Sequence, residues 1–151
     1  MVQRYDITKA NEGLGLWVTP NGKMDLQLEK SLKKVNTWSE RLHRSFLNQK
    51  EAYIGANTTI FKTIEYVLPG TLFTEAQCRI LERALYRHLM GKLGLTTKFP
   101  LAYNFGPHEF QGAALLEMYM AQMIGTLMVF LYHANIDSQL HTTFILSIEA
   151  L

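Results

Sequence analysis

Basic side chains on two predicted helices are the residues of this chain whose type and spacing could do chemistry. The first set is Lys30, Lys34, Arg41 and Arg44. At 100° per residue these four lie together on one face of an α-helix, with Lys33 beside them. Each cation of such a row can neutralise one phosphate and release its counterions. The row therefore predicts contact with a polyanion. The alternative is an ordinary solvated helix face, which Glu29 and Glu40 favour because they weaken the positive field of the row.

A second row follows at steps of four on a later helix and consists of Arg79, Arg83 and Arg87. Like charges four residues apart on a helix repel one another unless a carboxylate or a bound anion compensates them. Glu75 could relieve Arg79, and Glu82 flanks the row. We interpret this row as the stronger indication of nucleic-acid binding, with an ordinary surface helix as the alternative.

The segment from Gly91 to Gly112 combines basic and aromatic residues in a long connection. Its cations are Lys92 and Lys98, and its aromatic residues are Phe99, Tyr103, Phe105 and Phe110. Exposed aromatic rings beside cations suit stacking on unpaired bases. The alternative is that these rings fasten the connection to the helices, since long loops are often ordered by their own packing.

Catalytic residue patterns are missing from the sequence. Two-metal phosphoryl chemistry needs converging carboxylates, but Asp6, Asp25 and Asp137 are isolated and no two acidic residues are adjacent. The five histidines lack a metal-ligand spacing, and Cys78 has no paired base on its helix. We therefore expect this chain to catalyse nothing by itself and to hold no cofactor.

Composition suits one domain or one large piece of a bigger protein, with 151 residues of which 48% are hydrophobic. A single cysteine rules out an intramolecular disulfide and fits a reducing compartment. The net charge of +2 is unevenly distributed. All 15 Lys and Arg residues, with nine acidic ones, lie within the first 98 residues, whereas residues 99–151 carry four acidic residues and no Lys or Arg. A polyanion should therefore meet the first two thirds of the chain.

Apolar periodicity predicts a mainly α fold, with an N-terminal β-hairpin and a five-helix, bundle-like array interrupted by one long irregular connection. The hairpin, residues 1–22, has strands at residues 2–7 and 14–18 around an Asn11-Glu12-Gly13 turn, and should lean on a helix. The helical region, residues 23–151, has helices that begin at Asp25, Asn48, Thr74, Ala113 and residue 137 or 138. Capping boxes mark the second and third starts.

Packing expectations follow from the same pattern. The first two helices should form an antiparallel hairpin with facing apolar stripes, since a short connection joins them. Phe46 continues the stripe of the first, and Ile80 belongs to the apolar side of the third. Residues 113–134 are apolar almost all round but too short an uninterrupted run to cross a bilayer, so we expect a central core helix and no membrane span.

The order of short motifs resembles the region beyond the palm in reverse transcriptases of non-LTR retrotransposons. The motifs are Leu68-Pro69-Gly70, Lys92-Leu93-Gly94, Pro100, Gly106-Pro107 and Gln111-Gly112. The resemblance covers most of the chain and lies in the succession. The chain departs from the family at Ala113-Ala114, where the family usually has a second glycine in the turn.

The resemblance implies a primer-grip hairpin, matched by Leu14 and Gly15, followed by thumb-like helices severed from fingers and palm. The implied partners are an RNA or DNA template–primer, bound without sequence preference, and the missing palm and fingers, where Mg²⁺ would bind. Since residues 1–6 show no signal peptide, we expect an intracellular protein, nuclear or cytoplasmic, and not a secreted one. The alternatives are a structural helical domain whose apolar last third binds protein and, third, a helix-turn-helix DNA reader.

Overall fold

The computed structural model describes residues 10–13, 15–19, 21–96, 98–136 and Thr142. It confirms a mainly α fold with an N-terminal antiparallel hairpin followed by helices. In chain order the elements are β1 (Asn11–Gly13), β2 (Leu16–Val18), α1 (Asp25–Arg44), α2 (Gln49–Gly55), a π-helical segment (Ala56–Ile60), α3 (Phe61–Val67), a 3-10 turn (Leu68–Gly70), α4 (Glu75–Lys92), α5 (Leu101–Phe105), a second 3-10 turn (His108–Phe110) and α6 (Met118–Ala134). The predicted strand at residues 2–7, Leu14 and almost all of the predicted last helix lie outside the described residues.

The hairpin is built differently from the prediction. Residues 11–13, expected to be the turn, form β1 and pair with β2 in the register Asn11↔Val18, Glu12↔Trp17 and Gly13↔Leu16. The connection is thus only two residues long and includes Gly15, whose φ of +80° is accessible to glycine without strain. The sequence pattern does not reveal this turn, because Leu14 and Gly15 begin an apolar run and resemble the start of a strand.

The hairpin leans on the helices, as expected for a two-stranded ribbon. The Trp17 backbone N–H donates to Oε1 of Gln27 on α1 at 2.8 Å. Leu16 covers Gly70 so closely that a β-carbon at position 70 would overlap its side chain. The hairpin is therefore held between α1 and the turn that ends α3.

Two capping boxes begin α2 and α4, as predicted. The Asn48 side chain accepts from the Glu51 N–H at 3.0 Å, and Glu51 accepts from the Asn48 N–H at 2.9 Å. Thr74 and Gln77 make the same reciprocal pair. Each box satisfies two backbone N–H groups that the first helical turn leaves unpaired.

The closest packing partner of α1 is α4, not the helix that follows it in sequence. The C-terminal parts of the two helices lie side by side, as shown by His43 of α1, which stacks on His88 of α4 with ring centroids 4.4 Å apart. The predicted hairpin of the first two helices is wrong in this respect, although Trp38 Nε1 still donates to Thr59 Oγ1 at 3.1 Å. The short-connection rule failed because α4 presents a larger fully buried side, formed by Cys78, Leu81, Leu85 and Leu89.

Two residues expected in the core lie outside it. Phe46 follows the end of α1 and is fully exposed, and Ile80 is 45% exposed on the outer side of α4. In their place the core contains Cys78, whose burial raises the pKa of its thiol to about 11. Such a thiol stays protonated at neutral pH and is a packing group.

The long connection extends further than predicted. Residues 113–117 are not helical, so α6 begins at Met118 and not at Ala113. Gly106 and Gly112 cross so closely that a β-carbon at Gly112 would overlap the Gly106 carbonyl oxygen. Ala114 adopts φ of +46°, a conformation that costs a non-glycine residue energy. The predicted helix start failed because this backbone crossing fixes residues 112–114 in an irregular path.

The expectation of a central core helix for residues 113–134 is wrong. Only Met118 and Gln122 of α6 are buried. The helix docks by its first half on the 3-10 turn at Leu68–Gly70 and on α4, and its second half is largely exposed. Within the described part of the chain, no helix is long and apolar enough to cross a membrane.

Candidate nucleic-acid interface

The cationic row of α1 lies outside the buried line of that helix. Lys34, Arg41 and Arg44 are exposed. Lys30 is half-buried, because its ammonium lies 3.7 Å from the centre of the Trp17 ring. Within the described residues, none of these four cations has a carboxylate within 4 Å. The charge of the row is therefore not neutralised by ion pairs in that part of the chain.

The N-terminal end of the row borders a groove of about 200 Å³ between the hairpin, α1 and α3. Lys30 and Lys34 line it from α1, and Gly15 and Glu12 line it from the hairpin. Two cations and one carboxylate leave this groove with a net positive lining. The structure thus brings Gly15 beside two of the predicted phosphate ligands, while Leu14 lies outside the described residues.

Arg79 does not belong to a free arginine row, which corrects the sequence prediction. Its guanidinium contacts Glu82 at 3.1 Å, Glu75 at 3.6 Å and Glu117 at 3.7 Å. Glu75 and Glu82 are its neighbours on α4, and Glu117 precedes α6. Since three carboxylates surround one guanidinium, Arg79 acts as an internal ion-pair centre and is withdrawn as a phosphate ligand.

Glu82 explains why Arg79 is held in place. It is 5% exposed, and its Oε1 accepts from the Met118 backbone N–H at 2.9 Å, which caps α6. Burial raises the pKa of Glu82 despite this hydrogen bond and the nearby guanidinium. The pKa of Arg79 is raised chiefly by the Glu82 charge. The pair thus ties α4 to the start of α6.

Arg83 and Arg87 remain exposed on the outer side of α4. Neither has a carboxylate within 4 Å among the residues that the structure describes. Arg83 lines a groove between α4 and α5, which is distinct from the groove that Lys30 and Lys34 line. The two rows therefore border separate grooves, and these grooves do not form one continuous binding surface.

Lys92 is also engaged inside the molecule. Its ammonium donates to the Ser45 carbonyl at 2.6 Å, just after the C-terminal end of α1. A cation is favourable there because the last carbonyls of a helix carry partial negative charge. Lys92 is therefore withdrawn as a phosphate ligand, whereas Lys98 is exposed and stays a prediction.

The aromatic residues of the connection divide into two groups. Phe105 packs near Tyr86 with ring centroids 6.1 Å apart, so it fastens the connection to α4. Phe99 and Tyr103 pack on each other at 4.9 Å and remain 38% and 37% exposed, and Phe110 is 80% exposed. Phe105 therefore fits the packing interpretation, and stacking on unpaired bases stays a prediction for the exposed rings.

Sequence reasoning missed a paired tyrosine and histidine beside a cavity of about 590 Å³. The His108 Nδ1–H donates to the Gly112 carbonyl at 2.9 Å, so its Nε2 accepts from the Tyr53 hydroxyl at 2.7 Å. These residues are 55 positions apart, and no spacing rule connects them. Among the described residues, no three His, Cys, Asp or Glu side chains lie close enough together to hold a metal ion.

Comparison with known proteins identified no match for this chain. No protein-family model, no curated protein and no solved structure matches the chain. The resemblance to non-LTR reverse transcriptases therefore rests on the succession of short motifs in the sequence.

Proposed function

We propose that this chain is a non-catalytic part of a reverse transcriptase of the non-LTR kind, which holds a template–primer by its phosphate backbone. The observation that carries the proposal is the exposed row of Lys34, Arg41 and Arg44, which has no carboxylate partners among the described residues and whose N-terminal end borders the hairpin groove. Arg83, Arg87 and Lys98 add exposed cations elsewhere on the surface. The resemblance of motif order supports the parent enzyme.

The dimensions of the α1 row suit a nucleic-acid duplex. From Lys30 to Arg44 a helix rises about 21 Å, at 1.5 Å per residue. A duplex rises 3.4 Å per base pair, so the row spans about six base pairs of one strand. Long, mobile side chains of this type contact backbone phosphates and carry no sequence information by themselves. We therefore expect binding that follows duplex shape and charge.

Salt dependence of binding tests this proposal. Four to six phosphate contacts predict a slope of log K against log salt of about −4 to −5, or a loss of roughly 10²- to 10³-fold between 50 and 200 mM salt. The measurement is fluorescence anisotropy of a labelled primer–template duplex with the full chain. Absence of binding at low salt would contradict the proposal.

A charge-matched pair of double variants separates the row from net charge. Arg41→Gln with Arg44→Gln removes two exposed cations of the row and should reduce the slope by about 2. Lys50→Gln with Lys62→Gln removes the same charge from α2 and α3, where Lys62 already pairs with Glu65 at 2.7 Å. Equal effects of the two double variants would mean that only net charge matters.

Sequence preference distinguishes this proposal from a helix-turn-helix reader. Such a reader needs a compact helix pair whose second helix enters the major groove. Here α1 and α4 are packed together but are separated by 30 residues of chain. We expect equal affinity for duplexes of unrelated sequence, and a strong preference for one sequence would favour the reader.

A second candidate function, protein contact through α6, is favoured by the exposed apolar side of that helix. Met120, Ile124, Leu127 and Leu131 follow at steps of four, three and four and are 45% to 57% exposed. This spacing is typical of helix–helix seams, and α6 carries no Asp, Glu, Lys or Arg. The partner would be a second copy, because identical stripes can pair across a two-fold axis.

Sedimentation velocity tests the second candidate. The chain should sediment as a dimer, and Leu127→Lys with Leu131→Lys should make it a monomer, while Thr126→Lys, off the stripe, should not. A monomeric parent chain would contradict the dimer. Dimerisation only after removal of residues 138–151 would instead assign the stripe to that segment.

A further inference from the structure

The groove between α4 and α5 has the features of a small binding site. Its volume is about 340 Å³, within the range of ligand pockets. Met90, Leu101, Phe105 and Leu115 form apolar walls, and Arg83 lies among the lining residues with Asn104. The groove is thus an apolar slot with one amide and one uncommitted guanidinium.

Asn104 is the unusual residue of this groove. It is only 6% exposed, and its backbone groups are paired, because its N–H donates to the Pro100 carbonyl and its carbonyl accepts from the Leu115 N–H. Its side-chain oxygen Oδ1 is buried and has no hydrogen-bond partner. A buried acceptor without a donor is destabilising, so this oxygen suits a ligand that carries a hydrogen-bond donor.

The charges around the groove favour an anionic ligand. Arg79 and Glu82 also line it, but they are bound to each other at 3.1 Å and cancel. Arg83 is left as the cation without an ion pair among the described residues. A ligand that fits therefore carries a hydrogen-bond donor at one end of an apolar body and a negative group at the other.

We propose that this groove binds one unpaired nucleotide of the nucleic acid that the chain holds. An exocyclic amino group of the base donates to Asn104 Oδ1, the base lies between the apolar walls, and its phosphate pairs with Arg83. The inference rests on the proposed function and adds a site for an unpaired base to it.

Binding requires a local opening of the groove. Asn104 Oδ1 is sealed from bulk water in the free chain, so a wall must move before a base reaches it. Leu101 is the wall that can do so, because it is 62% exposed at the start of the five-residue helix α5. The bond to Asn104 then forms in a site from which water is excluded, where a hydrogen bond discriminates strongly.

Base selectivity follows from the chemistry of Asn104. Adenine, cytosine and guanine carry an exocyclic amino group that can donate to its oxygen. Thymine and uracil carry a carbonyl oxygen at the position of the cytosine amino group, and their ring N3–H would reach Asn104 Oδ1 only if the base were placed differently in the groove. A base that leaves the buried acceptor unpaired should bind about tenfold more weakly. The chain should therefore prefer an adenine or cytosine overhang to a thymine overhang, although it binds the duplex itself without sequence preference.

The experiment compares one duplex with blunt ends, with a short dA or dC overhang and with a dT overhang, by anisotropy with the full chain. We expect the dA and dC overhangs to bind about tenfold more tightly than dT. Asn104→Leu should abolish this difference and leave blunt-duplex affinity and its salt slope unchanged. Arg83→Gln, an exposed change on α4, should weaken overhang binding more than blunt-duplex binding. This variant replaces Asn104→Leu as the test of the groove if Asn104→Leu does not fold.

The outcomes separate the groove from the proposed function. Binding of the blunt duplex together with equal affinity for all overhangs would disprove the nucleotide site in the groove and leave the proposed phosphate-backbone contacts unaffected. Absence of blunt-duplex binding would overturn the proposed function itself. If free AMP displaces a labelled nucleotide but the overhang has no effect on duplex binding, the groove binds a free nucleotide. That result would contradict the proposal that it binds an unpaired nucleotide of the bound strand.

Discussion

At the scale of single residues, Ala114 marks the place where this chain stores backbone strain. Its φ of +46° lies in the left-handed region, which costs a residue with a β-carbon about 1–2 kcal/mol. It sits two residues after Gly112, whose close crossing with Gly106 leaves no room for a side chain. The crossing thus imposes its geometry on the alanine that follows.

Ala114→Gly should therefore stabilise the fold. Glycine relieves the strain, and its greater freedom in the unfolded chain offsets part of that gain, so we expect an increase of about 0.5–1 kcal/mol in the free energy of unfolding. Denaturant titration followed by circular dichroism measures it. Ala113→Gly is the control, because Ala113 has no positive φ, and it should destabilise the chain; a loss in both variants would contradict the strain.

His88 gives the fold a pH dependence. Burial lowers the pKa of His88 from its usual 6.5, the neighbouring His43 and Arg87 lower it further, and Glu40 opposes them. The folded chain thus binds a proton less readily than the unfolded chain, so this contribution to stability is complete above pH 6.5 and is lost as pH falls below it.

We expect the free energy of unfolding to decline as pH falls below 6.5, and this decline should be less steep in the His88→Gln variant. His43→Gln should also flatten the decline, because one repulsive partner of His88 is removed. Glu82, whose raised pKa favours protonation in the folded state and so changes stability in the opposite sense, is common to all three chains. Denaturant titration at each pH measures this, and parallel curves would refute the role of His88.

At the scale of elements, the sequence predicted what local rules govern. The starts of α1, α2 and α4 follow from apolar periodicity and from the Asn48 and Thr74 capping boxes. What it missed are contacts between distant residues. Glu117 reaches Arg79, Ser45 accepts from Lys92, and α4 displaces the second helix as the partner of α1. Spacing on one helix cannot reveal a partner on another element, so the charged rows could be predicted, but the contacts that engage Arg79 and Lys92 could not.

The π-helical segment in the second helix is another element that periodicity could not reveal. Asn57, Thr58 and Thr59 each bond through their side chains to the carbonyl four residues earlier, at 3.0, 2.8 and 2.5 Å. Side chains of this kind compete with the backbone ladder and accompany local bends. A π turn contains one residue more than an α turn, so the segment amounts to an insertion.

Deletion of Thr58 should therefore be tolerated. Removing the extra residue lets α2 and α3 join as one regular helix with their buried residues still aligned, and we expect a loss of no more than about 2 kcal/mol. Deletion of Arg83, equally exposed but within regular α4, turns the following residues by 100° and should unfold the chain. Thermal melts compare the two, and equal damage would contradict the insertion interpretation.

At the scale of the whole molecule, cations and exposed apolar surface lie on different elements. Arg41 and Arg44 of α1 and Arg83 and Arg87 of α4 are exposed and have no ion pairs among the described residues, whereas α6 contains no Asp, Glu, Lys or Arg and is exposed along its second half. Buried polar contacts attach α6 to the body. Gln122 Nε2 donates to the Phe73 carbonyl at 3.0 Å, and its Oε1 accepts from Thr71 at 3.1 Å.

Gln122→Leu should loosen α6 without disturbing the cationic surface. The Phe73 carbonyl would lose its donor in a buried site, at a cost of about 1–3 kcal/mol. Hydrogen exchange of the amides from Met123 to Ala134 should then quicken while that of α4 stays slow. Thr126→Val is the control, because its 3.4 Å contact to the Pro69 carbonyl is exposed and worth little.

Binding by the Gln122→Leu variant then tests how the two surfaces relate. If α1 and α4 hold the nucleic acid, the salt slope for a duplex should stay that of the parent chain, because no phosphate ligand has moved. If binding is lost together with the protection of α6, the apolar helix is part of the nucleic-acid surface. In that case the separation of cationic and apolar surfaces would not mean that nucleic-acid binding is confined to α1 and α4.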